Sequence, residues 1–527
     1  MSIETALGEL ERAVTRTGFD DLPNEAHLFE AQLARLALLL RQLTSRGSEA
    51  QQLRFYDLRP VFPLQQLPDA LTISILSMLP SRKLVETTEM CRHLHGLAER
   101  AVIARAQRLE QPLPMCRPGE SAFAALRFSE AAASTRACTI TAGHSHNLSI
   151  RNGGKNASTQ VLAWGGDGDE GEFLAHLGQG QLPGEAVHTP TPVRGLPAGI
   201  CVREVSAGFN FSLLLSSVGV VWSWGSAEDG RLGHGDERLH VYTPKLIEAL
   251  AGMRAVKVAA GSHHAMAATE FGQVFSWGRG AECQLGLGRL QRHGAAPQLL
   301  EALSSKRIYG LAGGLCHSLA VSETGEMYSW GDGSGGKLGH GNSAAQYLPK
   351  RIETLAHLPI QQVSAGHRHS LAVTRDGRLF SWGHGELGAY GCGQQDRHAA
   401  TPVRVESLGM IRVQQACAAP KFTLVLSDQG DVFVLGADLD CLRSCTLDAI
   451  DTERQPQAVR LHAMRFSEIA VGGTGTWLAR SRIGELYALG EWDAHEPPEA
   501  PLVTLAHSTQ AIDLFPLDEA GVPHAAR

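Results

Sequence analysis

Few residues in this chain of 527 have types and spacings that could do chemistry. Histidines one residue apart, His144/His146 and His367/His369, could offer two imidazoles to a metal. Zinc needs at least a third protein ligand, and none lies near either pair in sequence. Gly331-Asp332-Gly333-Ser334-Gly335-Gly336-Lys337 has the glycine and lysine spacing of a phosphate-cradling loop. Leu338 follows, where such a loop carries the Ser or Thr that holds magnesium. The stretch Gly225–Arg231 has the same outline, and no long helix follows either loop, so nucleotide binding is not expected. The ten cysteines are scattered, and Cys441/Cys445 has no matching second pair. That suits reduced thiols better than a zinc site or a disulfide framework. No nucleophile–base pair stands out, so we expect no catalytic residue, no metal and no cofactor.

The histidines and glycines belong to a repeat. A small residue, a Gly and a polar strand return at AGHSHNLSI (142), AGFNFSLLL (207), AGSHHAMAA (260), GGLCHSLAV (313) and AGHRHSLAV (365), with weaker copies AAPKFTLVL (418) and GGTGTWLAR (472). The anchor glycine position recurs after 65, 53, 53, 52, 53 and 54 residues. His146, His264, His317 and His369 keep register within it, and each reads as a hydrogen-bonding residue of its repeat. Sixteen residues after the anchor, copies two to five place the Trp of a WG block: Trp224, Trp277, Trp330 and Trp382. Trp164 lies five residues further out behind an insertion, and Leu435 and Leu489 take the position in the last two copies. A large side chain at one place in every copy fills the same gap between neighbouring units, so these five Trp are expected to be structural.

Between these landmarks, HSLAVTRDGRLFSWG reads as two β-runs around Arg375-Asp376-Gly377, a turn whose glycine accepts positive φ. The same step recurs at Phe271-Gly272, Thr324-Gly325, Gln429-Gly430 and Ile483-Gly484. A loop ending in G-x-L-G-x-G follows (Gly230–Gly235, Gly336–Gly341, and Gly388–Gly393 with Tyr390 for Leu), then a Pro, then another apolar run. Three to four short strands per period cannot bury their faces alone and must stack radially. The fold class is therefore mainly β, a seven-bladed β-propeller. The segment 501–516 repeats the Pro-plus-strand part of a period. Ala511–Phe515 is expected to pair with first-blade strands from around Ala137–Thr141 and so close the ring. These motifs resemble the regulator-of-chromosome-condensation family of propellers, whose hallmark is AG-x-x-H-S, D-G-x-V/L-Y/F-x-W-G and G-x-L-G-x-G. The resemblance covers about residues 136–516, strongly in copies two to five and weakly in the last two.

The first 135 residues differ: they hold five of the 57 glycines and read as helical. We divide the chain into an N-terminal helical segment (1–59), a small all-α module (60–110), a linker (111–135), the propeller (136–516) and a tail (517–527). Within 24–45, Leu28, Phe29, Leu33, Leu36, Leu40 and Leu43 fall at three- and four-residue steps, an amphipathic helix expected to pack within the chain. In the module, Leu67-Pro68-Asp69 opens a helix. Ile73, Ile75, Leu76 and Leu79 form its apolar side, Pro80 breaks it, and Ser81 can cap the next, which carries Leu84, Val85 and Met90. Cys91-Arg92-His93-Leu94-His95 leads into a third helical stretch. The order and spacing resemble an F-box. Its usual Trp near the end is absent, with Val102 or Ile103 nearby.

An F-box before a propeller implies a non-catalytic substrate receptor of an SCF (Skp–cullin–F-box) ubiquitin ligase. On that resemblance Leu67, Pro68, Leu71, Ile75, Leu79, Leu84 and Val85 dock on a Skp-type adaptor that bridges to a cullin. The propeller then holds a protein substrate close to the conjugating enzyme, and proximity does the work. Residues just after each anchor vary while their flanks repeat, as a binding face requires. From them His144, Phe209, Asn210, His263, His367, Arg368 and Lys421 are candidate substrate-binding residues. The first-copy insertion with Asp167, Asp169 and Glu170 is a second candidate, suited to a basic partner. The formal net charge is −7, and no basic arm, polybasic run or membrane-spanning apolar stretch occurs. Nucleic-acid and membrane binding are therefore not expected. Lacking a secretory signal, the chain is expected in the cytoplasm or nucleus of a eukaryotic cell. The alternative within the propeller's own family is a guanine-nucleotide exchange factor or a chromatin or scaffold protein. An ultraviolet-B photoreceptor that resembles this propeller uses face tryptophans in G-W-R-H-T. Here the site reads Gly366-His367-Arg368-His369-Ser370, so light sensing is not expected.

Overall fold

The computed structural model describes residues 97–98, 100–104, 123, 125, 139–151, 159–166, 175–180, 187–235, 240–384, 398–420, 422–436, 459–460, 465–473, 476–482 and 484–489. The chain divides into two compact units, Met1–Glu130 and Ala131–Arg527. In the first unit, residues 97–98 and 100–104 are helical. Leu97, Ala98, Ala101 and Val102 are buried there while Ile103 is exposed, which is one apolar face at helical spacing. The adaptor-docking candidates Leu67, Pro68, Leu71, Ile75, Leu79, Leu84 and Val85 lie outside the described residues. So do the segment 24–45, Lys421, the insertion with Asp167, Tyr390, Cys441, Cys445 and Ala511–Phe515.

The second unit is a ring of seven antiparallel sheets, the blades of a propeller. Blades 1 to 6 each have four strands in chain order, and blade 7 has three among the described residues. Blade 5 shows how the sequence makes one: Ile360–Ala365 at the axis, then His369–Thr374, Leu379–His384 and, outermost, His398–Arg404. Its second hairpin, between the second and third strands, turns at Gly377, with φ of 86° and its N–H donating to Thr374 O at 2.9 Å. Thr374 Oγ1 accepts the Arg378 N–H at 3.0 Å and tightens the turn. The second strand is buried along its whole length because a neighbouring blade covers each face of the sheet. The outer strands carry a proline in register (Pro190, Pro244, Pro297, Pro349, Pro402), which removes a donor from an edge that could otherwise recruit another chain.

One bulky residue of the repeat fills the seam in most of the described blades. Trp224 packs with Leu148 and Ile150 between blades 1 and 2, and Trp277 with Phe211 and Leu213 between blades 2 and 3. Trp330 joins Met266 and Val274 between blades 3 and 4, and Leu435 takes the same role with Leu371 and Val373 between blades 5 and 6. Truncating such a Trp costs roughly 3–5 kcal/mol. A one-turn 3-10 helix, too short to leave a periodic signal, follows the outer strand. It recurs at Glu248–Leu250, Glu301–Leu303, Glu353–Leu355 and Glu406–Leu408, each time burying its leucine.

The last blade packs directly on the first. Trp164 clusters with Ala470, Leu478 and Leu486. Glu468 Oε1 accepts the N–H groups of Thr139 at 2.7 Å and Ile140 at 3.3 Å. Arg480 Nη2 donates to Ser149 Oγ at 2.9 Å and Ile150 O at 3.1 Å. Ile140–Ala142 pairs with His146–Arg151 inside its own blade.

Candidate functional site: the axial mouth

The spacing A-G-x-x-H builds a latch between blades. Gly261 N–H donates to His264 O at 2.8 Å, and the imidazole folds over the glycine, where a Cβ would lie 2.3 Å from Cε1. His264 Nε2 meets Ser318 Oγ of the next blade at 2.8 Å, and that hydroxyl donates to Gln284 O at 2.8 Å. Trp330 Nε1–H donates to the same carbonyl at 2.8 Å. Since the serine proton is used on the carbonyl, the imidazole must be the donor through Nε2. His146 with Ser212, His317 with Ser370 and His369 with Thr423 repeat the contact at 2.8, 2.9 and 3.0 Å. Burial, acting first in every case, pushes His264 down to about 3 and His369 to about 4 and holds His146 and His317 well below the ordinary range. These histidines are neutral seam residues. Among the described residues no group of three or more His, Cys, Asp or Glu is placed to hold a metal ion.

The phosphate-loop lookalike is also consumed by the fold. Lys337 pairs with Asp332 in its own loop and donates to Ser334 Oγ at 3.1 Å. Its carbonyl takes Trp382 Nε1–H at 2.9 Å. Burial alone would raise the Asp332 carboxyl, but the bonds from Lys337 and Ser334 hold it below the usual carboxylate range. Only a single 3-10 turn, Ser334–Gly336, stands where a phosphate-binding helix would begin.

Just after each anchor the chain bends at one end of the axis, and the blades are tied there through their backbones. His144 N–H donates to Gly208 O at 3.2 Å, Phe209 N–H to Ser262 O at 2.9 Å, and Gly473 N–H to Gly143 O at 2.8 Å. The bends surround a cavity of about 170 Å³ whose lining includes His144, Phe209, Leu315, His367 and Pro420. The His144 and Phe209 rings are 4.3 Å apart and the Phe209 and His263 rings 5.1 Å, forming an aromatic arc over blades 1 to 3. His367 reaches the same mouth from blade 5. Burial lowers its pKa, with His144 and then Arg368 adding to the effect. Burial, followed by Arg231 and Arg279, brings His263 to about 4. The structure thus gathers His144, Phe209, His263 and His367, with Arg368 exposed beside His367. Asn210 is a different case. Its φ is 55°, a left-handed conformation that Asn tolerates, and its Oδ1 accepts a bond from Ser145 Oγ at 2.9 Å. It shapes the bend. Leu315 and Pro420 also line the cavity although neither was singled out from sequence, where they read as ordinary apolar loop residues.

Residues 116–419 match the family model described as the RCC1-like domain. The ultraviolet-B receptor UVR8 of Arabidopsis thaliana is 32% identical over 299 residues, covering 56% of this chain and 64% of the receptor. The E3 ubiquitin-protein ligase HERC2 of Homo sapiens is 32% identical over 329 residues, covering 61% of this chain and 7% of the ligase. The chain therefore spans less than two thirds of either relative. Among solved structures, yeast RCC1 (Prp20), seen bound to Kap60, aligns with a TM-score of 0.53 at 25% identity, covering 64% of this chain and 80% of that one. With a family match over more than half of its length and seven blades latched by the repeated histidine and tryptophan, the chain belongs to the RCC1-like domain family.

Proposed function

We propose that this chain is the non-catalytic substrate-recognition subunit of an SCF-type ubiquitin ligase. The observation that carries the reading is the order of two modules: the F-box-like pattern from Leu67-Pro68 to Cys91-Arg92, then an RCC1-like propeller. On this reading Leu67, Pro68, Leu71, Ile75, Leu79, Leu84 and Val85 form an apolar ridge that docks on a Skp-type adaptor and, through it, a cullin. The axial mouth receives a protein substrate through His144, Phe209, His263 and His367, with Arg368 beside His367; Lys421 remains a candidate on its place in the repeat alone. No group of this chain transfers ubiquitin; it raises the local concentration of substrate lysines near the conjugating enzyme. The propeller's similarity to a segment of a protein named as an E3 ubiquitin-protein ligase supports a place in ubiquitin ligation. The complex would act in the cytoplasm or nucleus.

The likeness to yeast RCC1 favours a second reading, guanine-nucleotide exchange or chromatin scaffolding. Co-purification separates the two. Tagged full-length protein should recover a Skp-type adaptor and a cullin, whereas Leu67→Ala/Pro68→Ala and a chain lacking residues 1–110 should not. A folded wild-type protein that recovers no adaptor would remove the ligase reading and leave the second.

A further inference from the structure

The inner strand of each blade ends beside the axis, and the N–H of its last residue points across the seam to the preceding blade. In three blades a hydroxyl caps it. Ala207 N–H donates to Thr141 Oγ1 at 3.3 Å, Ala260 N–H to Ser206 Oγ at 2.9 Å, and Ala418 N–H to Ser364 Oγ at 3.0 Å. The three acceptors occupy one position of the repeat, the next-to-last residue of the inner strand. At that position blades 3, 4 and 7 carry Ala259, Ala312 and Ala470. The strand ends that face them are Gly313, Ala365 and Ala142. Their pairings with Ser318, Ser370 and Asn147 put them in the register that Ala260 has with Ala265. A methyl group accepts no hydrogen bond. All three strand ends line the axial cavity, as do His144 and His367, and no Asp or Glu is among its described lining residues.

We propose that the axial mouth is an oxyanion site whose occupant is the carboxylate of an acidic side chain on a partner protein's loop. Backbone donors from blades 1, 4 and 5 and two imidazoles border a cavity of about 170 Å³ with no carboxylate in its described lining. An anion accepts such N–H groups in charge-assisted bonds, stronger than neutral ones. A cationic guest would find no counter-charge there. The volume suits one side-chain tip, so the flanking loop rests on the aromatic arc of His144, Phe209 and His263. The inference deepens the reading of the mouth as the substrate face and does not involve the F-box-like module.

The test uses the full-length protein labelled with ¹⁵N at Gly and Ala. It is titrated with acetyl-Gly-Glu-Gly-amide, the matching Gln peptide and inorganic phosphate. The Glu peptide should shift the Gly313 and Ala365 amide resonances, and the Gln peptide should bind about tenfold more weakly, as expected for losing a charged acceptor. Ala259→Ser/Ala312→Ser supplies the hydroxyls that other seams already carry and should weaken the Glu peptide by about tenfold or more. Ala312→Ser alone serves if the double variant loses its native spectrum. Equal binding of the Gln peptide, an absence of shifts, or affinity unchanged in the Ser variants overturns the proposal. A response to phosphate without one to the Glu peptide overturns the carboxylate in favour of a phosphorylated partner. Loss of adaptor co-purification would leave the amide shifts untouched, so the two readings fail separately.

Discussion

Mild acid should open the seams between blades before the carboxylates titrate. The latch histidines His146, His264, His317 and His369 are fully buried donors, with His264 at about 3, His369 at about 4 and the other two well below 6.5. Once unfolded, each returns to about 6.5. The unfolded chain therefore takes up protons first as pH falls. Stability is complete above about pH 6.5, declines below it, and levels off only beneath the folded-state values. Each pH unit costs about 1.4 kcal/mol per group, so falling from about pH 6.5 to about pH 5 costs about 2 kcal/mol per histidine. His264 and His369 together lose on the order of 4 kcal/mol, a large share of the net stability of a typical domain, and His146 and His317 add in the same direction. His234 and His340, both lowered to about 4 mainly by burial, add in the same direction but more weakly because they are part-exposed. Urea unfolding read by tryptophan fluorescence reports the loss directly, since Trp224, Trp277, Trp330 and Trp382 are buried in the seams. His369→Gln keeps a donor and removes one titrating group, so it should remove about 1.4 kcal/mol per pH unit from the dependence below about pH 6.5. Stability that stays constant from about pH 7.5 to about pH 5 would refute the assignment of these imidazoles as neutral buried donors.

In a double-mutant cycle, His264→Ala and Ser318→Ala should each cost about 1–3 kcal/mol, with the double variant short of additivity by about 1 kcal/mol, measured by the same unfolding. Gly261→Ala would put a Cβ 2.3 Å from the His264 ring and 2.8 Å from Gly314 O. It should destabilise by about 1–3 kcal/mol, an effect that His264→Ala in the same chain relieves only in part because the carbonyl clash remains. Glu468→Ala strands the N–H groups of Thr139 and Ile140 at the closing seam. Hydrogen exchange at those two amides should accelerate while the Gly261 amide in blade 3 is unchanged.

The propeller was legible because each blade meets the same neighbours, so stacking imposes one residue pattern with a fixed period. The hairpin around Gly377 and the seam position of Trp277 follow from that period. Pairing across seams does not. Nothing beside His264 in sequence marks its partner: it bonds Ser318, 54 residues on in the next blade, and the carbonyl they share belongs to Gln284, just before the Leu-Gly-x-Gly of its loop. Asn210 sits at a variable position, and the positive φ with which it shapes the bend is not legible in sequence. The donors of Gly313 and Ala365 were invisible because Ala259 and Ala312 are unremarkable until the hydroxyls of Ser206 and Ser364 are seen at the same place in other blades. Single-turn 3-10 helices such as Glu301–Leu303 are too short to carry a periodic signal.

Calorimetric titration of a purified Skp-type adaptor into the full-length protein tests the central claim most directly. The account predicts stoichiometric binding that Leu67→Ala/Pro68→Ala weakens by about a thousandfold, two central apolar anchors at about 2 kcal/mol each. Tryptophan fluorescence should show the propeller unchanged in the variant. A folded wild-type protein that gives no binding heat, or a variant that binds as tightly as wild type, would contradict it.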